Sequence, residues 1–220
     1  MNSLQAVLLD LDGTLADTAP DMGAALNSVL AEQGLAPLAE SDIRPHVSTG
    51  ALGLLRLGFG AELEAARLEQ LRERFLQIYA RDPVRHSCLF PGMQALLEQL
   101  AAHGIPWGIV TNKPDRFTRP VLAGLGVLEQ AACVVSGDTL SERKPHPAPV
   151  LHACRALGLA PQECLFVGDD RRDIIAGRSA GTVNLVALFG YLGDDGDPHD
   201  WAADGYIERP GDILDWLETH

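Results

Sequence analysis

Continuous runs of apolar residues recur along the chain, and each run ends in polar residues. The five clearest runs are AVLL, WGIV, CVVS, CLFVG and VNLVALF. Runs without polar alternation are typical of strands covered on both faces, as in a parallel sheet. Between them, residues 92–104, 116–126 and 148–158 show apolar spacings of three and four and close on glycine, as helices do. This alternation predicts βαβ units and therefore an α/β, Rossmann-like doubly wound parallel sheet.

One long segment breaks the alternation. Residues 16–86 show only helical spacing, in the stretches 21–34, 51–60 and 64–82. We expect this segment to form an all-helical cap domain inserted after the first strand, while residues 1–15 and 87–220 form the α/β core. Proline and glycine gather near Thr18–Pro20 and Cys88–Pro91, where we expect the hinges. An acidic stretch at 193–200 is expected to be a solvated loop.

Composition and charge limit the partners of the protein. The chain has 220 residues, 46% of them hydrophobic, which suits one large domain or one domain with an insertion. Its net charge of −13 argues against nucleic acid, whose binding normally needs a basic face. An anionic small molecule is still compatible, because a few local cations or a bound metal reverse the field inside one cleft. Both a monomer and a homodimer are compatible with the sequence.

Several features indicate a cytoplasmic protein. No apolar stretch approaches the ~20 residues of a membrane helix, and the amino terminus lacks the cationic start of a signal peptide. The cysteines form no C-x-x-C pair, so we expect them to be buried free thiols in a reducing compartment. They are Cys88, Cys133, Cys154 and Cys164.

Polar side chains follow the predicted strands at the sheet edge where α/β proteins bind ligands. Carboxylates there could hold a hard divalent cation, typically Mg²⁺, and the cation with a lysine could neutralise a phosphate. One carboxylate of the Asp10–Asp12 pair could attack phosphorus while the other transfers protons. Gly13 would let the backbone turn sharply beside them. The polar residues at the strand ends are Asp10, Asp12, Thr111, Asn112, Lys144, Asp169 and Asp170.

Each of these residues also has a structural explanation. A D-x-D-G sequence is a common turn. It could also suggest a calcium-binding EF-hand loop, but such a loop would need glycine where Leu15 stands. Thr111 and Asn112 could cap a helix, and Lys144 could be a solvated cation. The acids from Asp169 to Asp173 could simply face a helix dipole. The ordered combination, with each piece closing a predicted strand, nevertheless favours the chemical interpretation.

Four segments, in order, resemble the motifs of the haloacid dehalogenase superfamily, and within it the small phosphatases of the phosphoglycolate phosphatase type. The segments are DLDGTLADT, VTNK, KPHP and VGDDRRDIIAGRSAG. The similarity covers essentially the whole chain, including a helical cap after the first strand. It implies an α/β core, a Mg²⁺ cofactor and phosphate chemistry.

The resemblance implies a role for each matching residue. Asp10 would be the nucleophile and a Mg²⁺ ligand. Asp12 would be the general acid/base and would offer its backbone carbonyl to the metal. Thr111 and Lys144, with the backbone amide of Asn112, would hold the phosphoryl oxygens.

The fourth motif implies the remaining metal ligands. Asp169 would complete the protein ligands to Mg²⁺, and Asp173 would support the site from behind these ligands or through water. Asp170 stands where relatives often carry Ser or Asn. This additional acid is a second candidate for the metal ligand, and we favour Asp169 as the ligand.

The resemblance also separates related activities. An acid at Asp12 argues against dehalogenases, and the Lys-Gly-Arg cap motif of sugar phosphomutases is absent from this sequence. Phosphonatases need a cap lysine, which residues 16–86 do not contain, and P-type ATPases need membrane helices. A Mg²⁺-dependent phosphomonoesterase acting through an aspartyl-phosphate on a small phosphorylated metabolite is therefore implied.

The two substrates implied are 2-phosphoglycolate and, as the alternative, N-acetylmuramic acid 6-phosphate. Both carry a carboxylate, for which the cap offers Arg44, His46 and Arg56 as candidate partners, each weighed against plain solvation. Gly50 and Gly53 could permit close backbone approach to the substrate, and helix packing explains these glycines equally well.

Two other classes of protein share parts of this pattern. A receiver module also groups Asp, Thr and Lys around Mg²⁺, but its phosphorylated Asp follows the third strand and it has no helical insertion. A noncatalytic scaffold with this core would be expected to lose Asp10, Asp12 or Lys144, and all three are present.

Overall fold

The structure is a computed structural model that describes residues 4–193 and 195–219. The strands are β1 (Ala6–Leu9), β2 (Ala16–Asp17), β3 (Cys88–Leu89), β4 (Trp107–Val110), β5 (Cys133–Val135), β6 (Cys164–Gly168), β7 (Val183–Ala187) and β8 (Gly205–Ile207). The helices are α1 (Ala19–Glu32), α2 (Glu40–Ile43), α3 (Gly50–Phe59), α4 (Ala65–Tyr79), α5 (Met93–Ala102), α6 (Asp115–Gly124), α7 (Ala148–Leu157), α8 (Arg171–Ala180) and α9 (Asp212–Thr219).

Six strands form one parallel sheet in the order β5-β4-β1-β6-β7-β8, which confirms the predicted doubly wound core. Strand β1 is central, with Leu8 opposite Gly108 of β4 and Phe166 of β6. From β1 the chain builds outward through β4 and β5, then crosses to the other side for β6, β7 and β8. The switch point therefore lies at the carboxyl end of β1, where such sheets bind ligands.

The apolar runs are continuous because both faces of the sheet are covered. In β1, Val7 and Leu9 belong to one core cluster, and Ala6 and Leu8 belong to the other. All four side chains are buried, so neither face tolerates a polar residue. Alternate residues thus serve two cores, which removes the period-two pattern of a half-exposed strand.

Helices α1 to α4 lie between β2 and β3, and their core is continuous with one face of the sheet. Leu26, Leu55 and Phe75 are fully buried in the same cluster as Val7 and Leu9 of β1. Apolar side chains at helical spacing therefore bury one side of each long helix against its neighbours.

The structure corrects the expectation that residues 16–86 contain no strand. Ala16–Asp17 pairs antiparallel with Cys88–Leu89, so a two-stranded ribbon joins the start and end of the inserted segment. Two residues are too short to produce a periodic signal, and the pairing joins positions far apart in the sequence. Strand β8 and helix α9 were also not singled out by the hydrophobic pattern.

Smaller expectations are met in part. All four cysteines are free; Cys154 and Cys164 are buried and Cys133 is half-buried. Cys88 is exposed on the short strand β3, so its expected burial is wrong. The acidic stretch at 193–200 runs into a 3₁₀ turn that buries Trp201, and Asp194 lies outside the described residues. Of the helices described, none has the length and apolar character needed to span a membrane.

A buried carboxylate connects the beginning of the inserted segment to its end. Asp21, in the first turn of α1, is only 5% exposed. Its oxygens accept hydrogen bonds from the backbone amides of His86 (3.0 Å) and Ser87 (2.8 Å) and from the Ser87 hydroxyl (2.6 Å). Hydrogen bonds to a charged acceptor are among the stronger ones in proteins, so this contact fixes both ends of the segment together.

Replacing this carboxylate tests its contribution to stability. Asp21→Ala removes the acceptor of two backbone amides and of the Ser87 hydroxyl, and we expect it to lower the free energy of unfolding by about 2–3 kcal/mol. The measurement is urea unfolding followed by circular dichroism. Asp82→Ala, which removes an exposed carboxylate near the same junction, should stay within about 0.5 kcal/mol of wild type. A similar small change for Asp21→Ala would contradict this role.

Candidate active site

The predicted residues at the strand ends converge on one cavity of about 360 Å³ between the sheet edge and the inserted helices. Strand β1 delivers Asp10, β4 delivers Thr111, and β6 leads to Asp169 and Asp170 at the start of α8. Of the sequence-predicted site residues, those lining the cavity are Asp10, Asp12, Gly50, Thr111, Asn112, Lys144, Asp170 and Asp173. Asp169 is fully buried behind the lining.

Lys144 lies at the centre of the charged groups. Its ammonium is 2.9 Å from Asp10 Oδ1 and 2.6 Å from Asp173 Oδ1, and it donates a hydrogen bond to the carbonyl of Val110 at 2.7 Å. Burial by itself lowers the pKa of Lys144, but the two carboxylates outweigh it and hold the pKa above its usual range. Lys144 is therefore a charged ammonium within the cavity wall.

The side chain of Asn112 fixes the loop that carries this lysine. Its amide nitrogen donates to the carbonyl of Lys144 at 2.9 Å, and its oxygen accepts from the Lys144 amide at 3.0 Å. The second and third motifs are thus joined directly. Because the side chain of Asn112 is used in this contact, phosphate binding by Asn112 would have to come from its backbone amide, as the sequence predicts.

Three buried carboxylates form a cluster next to Lys144. Ligand oxygens of Asp10, Asp169 and Asp173 all lie within 4.8 Å of one another. Burial and the charge of Asp10 raise the pKa of Asp169 to about 7, and burial also raises the pKa of Asp173 well above its usual value. Ionising all three carboxyl groups beside the single ammonium of Lys144 is therefore unfavourable unless a further positive charge is present.

The donor set suits a hard cation. Asp10 Oδ1 is buried without a hydrogen bond, although it lies within ion-pair distance of Lys144. The metal-binding atoms of the cluster are all carboxylate oxygens, and Mg²⁺ and Ca²⁺ prefer oxygen ligands to nitrogen or sulfur ligands. The cluster of Asp10, Asp169 and Asp173 can accordingly hold a divalent metal ion.

Glycines allow the backbone to approach the carboxylates closely. A Cβ atom on Gly13, whose φ is +90°, would lie 2.1 Å from Asp169 Oδ2. A Cβ on Gly190 would lie 2.2 Å from Asp169 Cβ, and one on Gly168 would lie 2.3 Å from Asp173 Oδ2. Any side chain at these positions would displace a carboxylate of the cluster.

The orientation of Asp169 is set by hydrogen bonds to both oxygens. Oδ1 accepts from the Thr14 hydroxyl at 2.9 Å, while Oδ2 accepts from the Tyr191 amide at 2.9 Å and from the Ser48 hydroxyl at 3.3 Å. Ser48 belongs to the 3₁₀ turn Arg44–Thr49 of the inserted segment. The insertion thus touches the carboxylate cluster itself.

Asp170 has a different environment from its neighbours. It caps α8 by accepting from the Arg172 amide at 2.8 Å, and its Oδ2 lies 2.6 Å from the Arg172 guanidinium. Asp173 in turn accepts from the Asp170 amide at 3.2 Å. The helix-terminus alternative for these acids therefore holds for Asp170 and in part for Asp173, which together form a capping box at the start of α8. Asp173 also lies in the cluster with Asp169 and Asp10.

The expected substrate contacts of the inserted segment are mostly elsewhere. Arg44 pairs with Asp17 at 2.8 Å, and Arg56 is exposed. Neither of them, nor His46, is among the residues lining the cavity; Gly50 is. Their contact with a substrate carboxylate stays a prediction that the cavity lining does not support.

Other cations line the cavity and were not found from the sequence. They are Arg72, Lys113, Arg143 and Arg172. Lys113 is the last residue of the second motif, VTNK, although no role was assigned to it. Arg72 shares one face of α4 with Phe75, Leu76 and Tyr79, which also line the cavity. The i, i+3, i+4, i+7 spacing on α4 was a usable signal, because it puts one charge on an otherwise apolar face.

The cavity also has an apolar wall, contributed mainly by the inserted helices. It consists of Met22, Val47, Leu52, Phe75, Leu76, Tyr79 and, from the core, Phe117. One side of the cavity is therefore charged and the opposite side is largely apolar, as is common in sites for small organic ligands.

Known proteins share this sequence and fold. A model of the haloacid dehalogenase-like hydrolases matches residues 4–181. A phosphoglycolate phosphatase of Xanthomonas campestris pv. campestris is 46% identical, covering 94% of this chain and 93% of its own. An N-acetylmuramic acid 6-phosphate phosphatase of Pseudomonas putida is 43% identical, covering 98% and 97% of the two chains.

A solved structure agrees with these sequence matches. The crystal structure of a predicted phosphoglycolate phosphatase from Haemophilus somnus 129PT superposes with a TM-score of 0.87 at 30% identity, covering 98% of both chains. The similarity thus extends through the inserted helices as well as the sheet. With its carboxylate cluster at the end of β1, the chain belongs to the haloacid dehalogenase-like hydrolase family.

Proposed function

We propose that the protein is a Mg²⁺-dependent phosphomonoesterase that acts through a phosphorylated Asp10. The observation that carries this proposal is the contact of Lys144 with Asp10 and Asp173, beside Asp169, in a single cavity. Such a group offers a nucleophile, a fixed positive charge and oxygen ligands for a cation, which together suit phosphoryl transfer.

The chain's own residues divide the reaction between them. A carboxylate oxygen of Asp10 forms a bond to phosphorus as the ester bond breaks, and Asp12 gives a proton to the leaving oxygen. Water then attacks phosphorus, Asp12 takes its proton, and the Asp10 carboxylate is restored. Thr111 accepts a hydrogen bond from the Lys113 amide at 3.2 Å, which leaves its hydroxyl hydrogen for a phosphoryl oxygen.

The cation would be held by Asp10 and Asp169, with Asp173 in support. When bound, Mg²⁺ supplies positive charge that neutralises the phosphoryl oxygens and the carboxylates together. Lys144, in contact with Asp10 and Asp173, supplies the second positive charge. The pairing of Asp170 with Arg172 supports Asp169, rather than Asp170, as the ligand from the fourth motif.

We propose 2-phosphoglycolate as the substrate, because phosphoglycolate phosphatases are among the most similar relatives. N-acetylmuramic acid 6-phosphate is the second candidate, and the cavity favours it. A volume of about 360 Å³ with an apolar wall leaves room beyond a two-carbon acid, which a sugar ring and an N-acetyl group would use. Both candidate substrates are small phosphorylated metabolites, and we propose that the protein acts on its substrate in the cytoplasm.

Two arginines are suited to the carboxylate that both candidate substrates carry. Lys113, Lys144 and Arg172 are paired with carboxylates of the cavity, whereas Arg72 pairs with Glu69, which does not line it. Arg143 is exposed and lines the cavity. We therefore assign Arg72 and Arg143 to the acid group of the substrate.

Removing the nucleophile tests the mechanism. An amide cannot form the phosphorylated intermediate, so Asp10→Asn should lower kcat by ~10³-fold or more. The measurement is phosphate release from the preferred substrate, with the fold checked by circular dichroism. Asp215→Asn, an exposed site on α9, should keep wild-type turnover. Asp10→Asn with turnover near wild type would remove Asp10 from this role.

Metal removal tests the cofactor. Dialysis against EDTA should abolish phosphate release, because three crowded carboxylates without a cation repel the incoming phosphate. Added Mg²⁺ should restore the rate of phosphate release in proportion to the fraction of metal sites that it occupies. The same preparation must retain its helical circular dichroism throughout, and full activity in EDTA would exclude a metal requirement.

A substrate panel tests specificity and Arg72 together. The panel contains 2-phosphoglycolate, N-acetylmuramic acid 6-phosphate and p-nitrophenyl phosphate, which lacks a carboxylate. Arg72→Met should raise KM about tenfold or more for each carboxylate-bearing ester that the enzyme hydrolyses and leave KM for p-nitrophenyl phosphate unchanged, because a charge-assisted contact is lost. Arg74→Met, an arginine on α4 that pairs with Glu32 outside the cavity, is the matched control. An equal effect on all three esters would contradict the assignment.

A further inference from the structure

The chain contains only two lysines, and both line the cavity. The other fifteen of its 17 lysine and arginine residues are arginines. Each lysine pairs with one of the two acids after β1: Lys144 with Asp10 at 2.9 Å, and Lys113 with Asp12 at 2.8 Å. A compact ammonium thus occurs in this chain only at these two contacts. Lys144 already belongs to the proposed reaction, and Lys113 has no role in it.

Lys113 binds only one of the two oxygens of Asp12. Its ammonium donates to Oδ1, and the Thr18 hydroxyl donates to the same oxygen at 2.5 Å. Within residues 4–193 and 195–219, no donor is seen on Asp12 Oδ2. Two donors on Oδ1 place any proton that Asp12 carries on Oδ2, which is therefore the oxygen available for proton transfer.

The ammonium of Lys113 is itself held firmly. Lys113 as a residue is 8% exposed, and its ammonium lies 4.8 Å from the ring centre of Tyr79 on α4 and 3.9 Å from the sulfur of Met22 on α1. Its backbone carbonyl accepts from the Gly137 amide at 2.8 Å and from the Thr118 hydroxyl at 3.0 Å. Lys113 is thus fixed from the core and enclosed by two inserted helices.

We propose that Lys113 is a positioning residue for Asp12, holding Oδ1 so that Oδ2 exchanges protons with the substrate and with water. The inference rests on the proposed function, because it gives Lys113 a part in the proton transfers assigned to Asp12. Lys113 acts through Asp12 and needs no contact with the phosphate.

The proton balance shows which substrates need Asp12 most. As the bond from Asp10 to phosphorus forms, the ester bond breaks and its electron pair stays on the leaving oxygen. An alkyl leaving oxygen is strongly basic and takes the proton from Asp12 Oδ2 in the transition state. A nitrophenolate is a stable anion and leaves with little help. A misplaced Asp12 therefore slows alkyl esters more than aryl esters.

The test compares kcat/KM for 2-phosphoglycolate and p-nitrophenyl phosphate, because this ratio reports the steps through alcohol release. If wild type prefers another alkyl phosphate of the panel, that ester replaces 2-phosphoglycolate. Lys113→Met should lower kcat/KM for the alkyl ester by ~10²-fold and for the aryl ester by less than ~10-fold. Lys113→Arg keeps the charge and should give an intermediate ratio. Arg116→Met, which removes a nearby exposed cation outside the cavity, should change neither value.

A double mutant separates positioning from general damage. In an Asp12→Asn background, Lys113→Met should cost no further activity, because the group that it positions is already gone. Equal losses for both esters, or a full additional loss in that background, would overturn the proposal. If Lys113→Met does not fold, Lys113→Arg decides, since an unchanged alkyl-to-aryl ratio contradicts the role. Wild-type rates in Asp12→Asn alone would instead refute the acid/base role in the proposed function.

Discussion

Asp10, Asp169 and Asp173 lie close together out of water, where like charges repel strongly, and the surrounding structure depends on relieving that repulsion. Lys144 relieves part of it, and a divalent cation would relieve the rest. Glycines leave the space in which the carboxylates meet. The same unbalanced charge that is costly in a resting fold suits the proposed chemistry, because it can hold a cation beside Asp10, the proposed nucleophile, at the switch point of the sheet.

Much of the core was predictable because it follows from local pattern and a general rule of topology. Continuous apolar runs such as Ala6–Leu9 reflect burial on both faces, and the carboxyl ends of parallel strands share one edge. These two facts place Asp10, Thr111 and Lys144 together without any knowledge of their distances. The pairing of Asn112 with the Lys144 loop adds a contact that only the structure reveals.

The inserted segment was predicted less well, because its cavity face depends on how helices pack against the core. Arg44 was a reasonable candidate by charge alone, yet it pairs with Asp17, while Arg72 reaches the cavity from another helix. Strand β2 and the exposed Cys88 illustrate the same limit, since a two-residue pairing between distant positions leaves no periodic trace. Tertiary packing, rather than local propensity, decides these positions.

The central claim is that the carboxylate cluster beside Lys144 is a divalent metal site. Anomalous diffraction from crystals grown with Mn²⁺, a stand-in for Mg²⁺ that also prefers oxygen ligands, tests it most directly. The account predicts one strong peak within coordination distance of both Asp10 and Asp169, and its loss in crystals of Asp169→Asn. A cluster without a peak at saturating Mn²⁺, or a peak only at other acidic residues, would contradict it.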